Sequence, residues 1–349
     1  MKRVVLLDLC AIENLRVGLG EFSMQLGRHL VELLPDLNRN GIELVFVVPK
    51  GQTEVFGNQV KYVECGRVNR LLLRLTLKCD LFHAVHQYGR LKFLHGAKRT
   101  LLTIHDLNFL YEKRGSKVNK YRRKIGAQIK RADALTFISN YAKSDVERCY
   151  PEYPRQGEVI YNGVSDLTRL CAPRRGVYLL HLSSLMPKKN PELLVRMMEW
   201  LPDQKLVIAG RLNGDYARNL KTLAEQLPAR NVEFVGEVDD AQKAKLYSEC
   251  KMFLFPSLCE GFGLPPIEAM KFGKPVALSN LTSLPEIGGP RACYWAELEP
   301  RKMAEELSSF ITKCESEVES VEIKKWAAQF TWEECARRYA ELYCKMVNG

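Results

Sequence analysis

The sequence predicts an α/β chain of two open parallel-sheet domains, and three observations carry that prediction. Short apolar runs bounded by turn residues alternate with helically spaced stretches along the whole chain, the pattern of a parallel sheet covered on both faces. At 349 residues the chain is too long for one ordinary core and suits two domains of roughly 170 residues each. Its charge divides along the same line. Residues 1–172 hold 28 Lys plus Arg against 17 Asp plus Glu, while residues 173–349 hold 24 of each, so the whole net charge of +11 is N-terminal.

The composition excludes several classes. A hydrophobic content of 46% is that of an ordinary globular protein, and no window of 18 unbroken apolar residues argues for a membrane-spanning helix. The opening Met1-Lys-Arg-Val-Val-Leu-Leu-Asp8 starts like a short leader, but Asp8 cuts its apolar run after four residues, so it reads as the first buried strand. The 11 cysteines contain no Cys-x-x-Cys pair, which argues against a zinc ribbon or a disulfide scaffold and for reduced thiols in a cytosol.

The first strand, residues 4–7, leads into a polar loop containing Gly18-Leu19-Gly20, followed by helical spacing at Phe22, Leu26, Leu30, Val31 and Leu34 over residues 21–34. Strand, glycine turn and helix form the phosphate-binding grammar of an open α/β sheet. Residues 42–48, 61–63, 81–83, 101–104 and 134–139 read as further strands. His83 and His86 lie three apart, which in an extended segment points them to opposite faces and argues against a metal site. His105 follows an apolar strand directly, at the carboxyl edge where open sheets bind ligands. Residues 113–131 carry nine Lys and Arg and no acid. Within them Lys117, Lys120, Arg122, Arg123 and Lys124 form a candidate face for anionic lipid or a phosphorylated acceptor, at about 1 kcal/mol per basic residue. A merely solvated basic helix face is the competing reading. Nucleic acid is disfavoured, because the run has one aromatic, Tyr121, and matches no binding module.

Pro173 and an irregular polar stretch from 165 to 175 mark the predicted boundary, giving domains at 1–172 and 173–325 and a terminal segment at 326–349. The second domain opens with a strand at 178–182, then Ser184, Lys188 and Lys189 before a helix at 192–200. Two cations and a helix N-terminus together favour a diphosphate. Strands follow at 205–209, 232–236, 253–255 and 276–279. The third of these runs into Glu260-Gly261-Phe262-Gly263-Leu264-Pro265-Pro266-Ile267-Glu268. Gly261 and Gly263 free the backbone to approach a ligand, Pro265 and Pro266 preset a helical turn with Glu268 in it, and Gly273 suits a left-handed C-cap. Two carboxylates thus flank a run of amides fit for a polyhydroxylated, phosphorylated molecule.

That stretch resembles the signature of the family 4 retaining glycosyltransferases of GT-B architecture. The Gly18-x-Gly20 loop, His105-Asp106-Leu107 and Lys189-Asn190 resemble further family motifs, in the family's order, with a mannosyltransferase-like cast. The chain departs from the pattern at Ser184, where many members carry arginine, and Lys188 is the expected substitute cation. The resemblance implies two Rossmann-like domains facing across a cleft, with a C-terminal helix, capped by Thr331, returning to the first. It implies a nucleotide-diphosphate sugar as substrate, GDP-mannose or a UDP-hexose, with no metal and no further cofactor. It assigns donor binding to Gly18, Gly20, Ser184, Lys188, Lys189, Gly261, Phe262, Gly263, Leu264 and Glu268, and chemistry to His105, Lys189 and Glu260. Glu260 would hold sugar hydroxyls, Glu268 the ribose and His105 the sugar beside its anomeric carbon. The expected activity is hexosyl transfer to a lipid-linked glycan or related acceptor in lipopolysaccharide or capsule synthesis. The expected location is the inner face of the cell membrane, peripherally bound from the cytoplasm. A non-catalytic sugar-nucleotide sensor or scaffold on the same fold is the alternative, and a phosphorylase lacks its pyridoxal-phosphate lysine context.

Overall fold

The structure is a computed structural model describing residues 2–15, 17–153, 157–314 and 316–348. Met1 of the opening strand and Arg16 of the glycine-bearing stretch lie outside the described residues. The chain divides into two compact units, residues 1–163 with 331–349, and residues 164–330.

The first unit holds strands β1 (Arg3–Asp8), β2 (Ile42–Pro49), β3 (Lys61–Cys65), β4 (Lys78–Ala84), β5 (Gly96–Ile104), β6 (Ala134–Phe137) and β7 (Gly157–Val159). They form one sheet in the order β3-β2-β1-β4-β5-β6-β7, every neighbouring pair parallel. Side chains alternate faces along each strand, so Val5, Leu7, Leu44, Phe46 and Val48 enter one core while Leu6, Val45 and Val47 enter the other. Both faces are covered, which is why these strands read as continuous apolar runs.

Over the first face lie the Gly18–Glu32 helix and the C-terminal Trp332–Asn348 helix, which contributes Trp332, Cys335, Ala336, Tyr339, Tyr343 and Met346. Thr331 caps that helix, its hydroxyl accepting from the Glu334 amide at 3.1 Å. A buried polar cluster locks the helix to the sheet. His83 Nδ1 bonds the Tyr343 hydroxyl at 2.7 Å and Nε2 the Thr103 hydroxyl at 2.8 Å, while Tyr339 reaches Thr103 at 3.0 Å. His83 is therefore a fastener for this helix. His86 lies past the end of β4, and no cluster with metal-holding composition occurs among the described residues.

In the second unit β8 (Tyr178–Leu182), β9 (Leu206–Ala209), β10 (Val232–Gly236), β11 (Cys250–Phe255), β12 (Val276–Ser279) and β13 (Cys293–Trp295) form a parallel sheet in the order β10-β9-β8-β11-β12-β13. β13 is absent from the sequence reading because three residues give no periodicity to detect. The division falls at Gly163/Val164 and Phe330/Thr331, earlier than the polar stretch at 165–175 and later than 326. Val164 donates its amide to the Phe330 carbonyl at 3.2 Å, which closes the second unit at its own ends. None of the 11 cysteines forms a disulfide.

Candidate functional site

Both sheets reverse strand order beside their first strand, between β1 and β4 and between β8 and β11. At such a reversal the loops leaving the two neighbouring strands diverge and leave a crevice at the carboxyl edge, the usual ligand position in an open α/β sheet.

In the second unit, β8 and β11 are hydrogen-bonded neighbours, so the loops after them meet although 71 residues separate Lys189 from Glu260. Pro187–Lys189 makes a single 3-10 turn, and Asn190 turns left-handed (φ 56°) ahead of the Pro191–Met197 helix. This geometry delivers Lys189 Nζ to Glu260 Oε1 at 2.5 Å, over the Phe255 ring at 5.3 Å. Ser257 donates its hydroxyl to the same carboxylate oxygen at 2.6 Å and to the Lys188 carbonyl at 3.1 Å. Ser257 thus ties the two loops together, a role the sequence did not signal beyond its place before Glu260. Ser184 stands exposed in the β8 loop, and Lys188 is half-buried.

The loop from 257 to 263 is stitched to the chain beyond β12. The Glu260 amide donates to Thr282 Oγ1 at 3.1 Å, and the Ser283 hydroxyl donates to the carbonyls of Phe262 at 2.7 Å and Glu260 at 3.2 Å. Gly263 has φ 119°, open to glycine and strained for other residues, and its turn starts the Leu264–Lys271 helix. That start places Glu268 in the second helical turn, so the expected first-turn position is corrected. Pro265 and Pro266 also remove two of the helix's first four N–H donors. Donors aimed at an anion here would come chiefly from the Gly261–Leu264 stretch. Gly273 does adopt the left-handed C-terminal conformation (φ 71°).

Glu268 is buried and doubly held. Lys243 Nζ donates to Oε1 at 3.0 Å and the fully buried Tyr247 hydroxyl donates to Oε2 at 2.7 Å. Burial and the Glu268 charge both push the Tyr247 phenol well above its usual range, so it remains a donor. Behind Lys189, His181 bonds the Leu254 carbonyl at 2.9 Å and the Ser183 hydroxyl at 2.8 Å. Burial, with a smaller contribution from the Lys189 charge, lowers its pKa to about 4, leaving it neutral.

In the first unit, the helix begins at Gly18, three residues before the expected start, so Gly18 and Gly20 belong to its first turn. A Cβ at Gly20 would stand 2.0 Å from the Asn14 carbonyl oxygen, which gives this glycine a packing reason of its own. Gly18 is exposed with open space around it. Phe22 on this helix meets the His105 ring edge-on at 4.6 Å, bringing helix and histidine together. His105 bonds the Val85 carbonyl through Nε2 at 2.9 Å, and its amide donates to Gln87 Oε1 at 3.1 Å. With Nε2 carrying the proton for Val85, Nδ1 is the acceptor nitrogen of a neutral ring. Burial first, then the His86 ring, lowers its pKa to about 3. Asp106 caps the following turn, Oδ1 accepting from the Asn108 amide at 2.9 Å. Lys117, Lys120, Arg122, Arg123 and Lys124 are exposed on the Ser116–Arg131 helix, with Arg122 also donating to the Cys149 carbonyl at 2.7 Å.

Comparison with known proteins adds the following. Residues 172–322 match the family model "Glycosyl transferases group 1" and residues 26–166 match "Glycosyltransferase Family 4". The serotype-specific mannosyltransferase WbdA of Escherichia coli is 39% identical over 119 residues, 32% of this chain and 15% of that protein. This chain therefore aligns with a small part of WbdA. The O-antigen chain mannosyltransferase B of E. coli is 25% identical across 93% of this chain and 95% of its own length. Among solved structures, the sucrose-phosphate synthase of Thermosynechococcus elongatus superposes with a TM-score of 0.75 at 17% identity, covering 99% of each chain.

Proposed function

The chain belongs to the group 1 and family 4 glycosyltransferases, and on that premise we propose that it is a retaining hexosyltransferase, metal-independent and without a further cofactor, taking a nucleotide-diphosphate sugar. The O-antigen mannosyltransferases among its relatives favour a mannosyl donor and a lipid-linked glycan acceptor in cell-surface polysaccharide synthesis. The observation that carries the reading is the Lys189–Glu260 pair, assembled from two loops at the β8/β11 reversal. A lone cation there would serve many anions. A cation bonded to a carboxylate, next to a glycine loop, suits a ligand carrying both phosphate and hydroxyls.

In the proposed reaction the bond between the anomeric carbon and the diphosphate oxygen breaks. The acceptor oxygen bonds the same face of that carbon, and its proton passes to the leaving phosphate. Lys189, with Lys188, stabilises the charge that grows on the diphosphate, a preorganised contribution realised mainly in the transition state. Glu260 then accepts from sugar hydroxyls and Glu268 from the ribose, each aimed by the partners described above. Lys243 and Tyr247 keep Glu268 from rotating, so it reads the ribose in one geometry. His105 is assigned to the sugar through its neutral acceptor nitrogen. The basic face of the Ser116–Arg131 helix is assigned to an anionic membrane surface at the cytoplasmic leaflet.

The test is thermal-shift screening against GDP-mannose, UDP-glucose, UDP-GlcNAc, UDP-galactose and dTDP-rhamnose, followed by turnover with the stabilising donor. One donor is expected to raise the melting temperature, and Glu260→Gln to keep the fold while losing transfer. No shift with any donor would sink the reading.

A further inference from the structure

The first unit carries a surface built against the usual rule. Val68, Leu71, Leu72 and Leu75 are 98%, 63%, 60% and 57% exposed. Leu71, Leu72 and Leu75, at i, i+1 and i+4, share one face of the Arg70–Thr76 helix, with Val68 in the turn before it. A helix ordinarily turns such an apolar face to a core, yet this one has no fully buried residue. Scattered exposed leucines are ordinary, whereas an aligned apolar stripe marks a contact surface.

The surroundings of the stripe identify the contact. Arg67, Arg70, Arg74 and Lys78 fall between Cys65 and Cys79 with no Asp or Glu among them. Arg74 and Arg131 bracket the Phe93 ring, their guanidinium carbons 4.0 and 4.2 Å from its centroid. That bracket joins this helix to the basic Ser116–Arg131 helix. Lys92 and Arg74 are both depressed, by burial first and then by neighbouring cations, Lys124, Arg70 and Arg74 for the one and Arg131 and Arg70 for the other. Arg74 Nε is buried with no hydrogen-bond partner. In the sheet itself Arg3 and Lys98 meet Asp80. Around this helix like charges crowd beside exposed leucines. Cations flanking an apolar stripe complement an interface that is apolar in depth and anionic at its surface, which is a bilayer of acidic lipids.

We infer that the Arg70–Thr76 helix inserts into an anionic bilayer, with Leu71, Leu72 and Leu75 below the headgroups and Arg67, Arg70, Arg74 and Arg131 on lipid phosphates. This deepens the membrane assignment above and rests on it for its biological purpose. It differs in naming an apolar insertion element where that assignment has only surface charge.

The experiment is vesicle co-sedimentation with phosphatidylcholine alone and with phosphatidylglycerol added. Wild-type protein should bind the acidic vesicles. Leu71→Ser, Leu72→Ser and Leu75→Ser combined should weaken binding on the order of tenfold or more and leave binding that high salt abolishes. Their exposure predicts unchanged melting. A Leu72→Trp variant should gain a blue-shifted emission component with acidic vesicles, relative to wild type. Wild-type binding by the triple-Ser variant, or a concentration-dependent dimer that the same changes abolish, overturns the inference. Transfer to a water-soluble acceptor fragment separates the two readings. Loss of transfer in wild type with vesicle results intact condemns the transferase assignment alone, and intact transfer with unaltered vesicle binding condemns the insertion helix alone.

Discussion

Both sheets reverse strand order between their first strand and its neighbour, yet the groups gathered at the two reversals differ in character. At β8/β11 they are ion pairs, Lys189 with Glu260 and, further along the second segment, Lys243 with Glu268. At β1/β4 and the adjoining end of β5 the buried rings are neutral, His86 and His105 beside Phe22 and Gln87, while the charges there serve the loops: Arg90 pairs with Glu13 toward the surface, and the buried Asp8 carboxylate accepts from the Cys10 and Leu91 amides. The contrast therefore lies in what each reversal buries, a lysine–glutamate pair in the second unit and neutral histidine rings in the first. Fixed cations suit a growing negative charge, whereas acceptors and ring faces, whose desolvation costs less, suit a neutral sugar.

The sharpest way to break this contrast is to remove the cation. Lys189→Ala should lower kcat by roughly 10²–10³, the cost of losing one preorganised charge stabiliser, with a smaller change in KM. His105→Ala, removing a neutral contact, should cost less, and His105→Asn should recover part of it by restoring an acceptor. Steady-state kinetics with the stabilising donor would read both. Equal losses at the two positions would erase the distinction between a charged and a neutral contact.

Much of this was legible in the sequence, and the reasons differ by element. Strands buried on both faces announce themselves as apolar runs, so β1, β2, β8, β9, β11 and β12 lie where the pattern put them, and the edge strand β10, with no buried residue, was marked by its Val-x-Phe-Val run before Gly236. The motifs at the strand ends were visible too, because glycine, proline and paired charges are uncommon together. The joining of Lys189 to Glu260 was not legible from spacing, since it depends on strand order at the β8/β11 pair. Ser257, Lys243 and Tyr247 were missed because a serine, a surface-type lysine and a core tyrosine are each unremarkable until folded. The helix start at Gly18 was hidden by glycine's poor helix propensity, which the close approach to Asn14 overrides.

Stability offers a second, smaller contrast. The first unit depends on a buried polar fastener, and Tyr343→Phe would leave His83 Nδ1 short of its 2.7 Å partner. The expected cost is about 1–3 kcal/mol, the penalty of an unsatisfied buried group. Denaturant unfolding should show it, and hydrogen exchange should place the loss in the Trp332–Asn348 helix and β4. Loss of protection confined to residues 164–330 would contradict the placement of the fastener.

The smallest effect is a difference in acid sensitivity. His83 and His105 have pKa values lowered to about 3 and His86 to about 4, in each case by burial first, all in the first unit. The second unit has one such group, His181 at about 4. A histidine whose folded pKa lies below its unfolded value near 6.5 contributes stability that is fully present above 6.5 and is lost as pH falls toward the folded pKa. Three groups against one therefore make the first unit lose stability faster between about pH 6.5 and 5. Asp145, raised by burial, opposes this weakly in the same unit. The depressed carboxylates Asp80, Glu334, Asp166, Glu299 and Glu322 act only below their ordinary range, outside this window. Hydrogen exchange across that interval should show β4 and β5 losing protection before β8 and β11. A His83→Gln variant, paying its cost at every pH, should flatten the difference. Simultaneous loss in both units, or earlier loss in the second, would show that the neutral histidines do not set the acid limit.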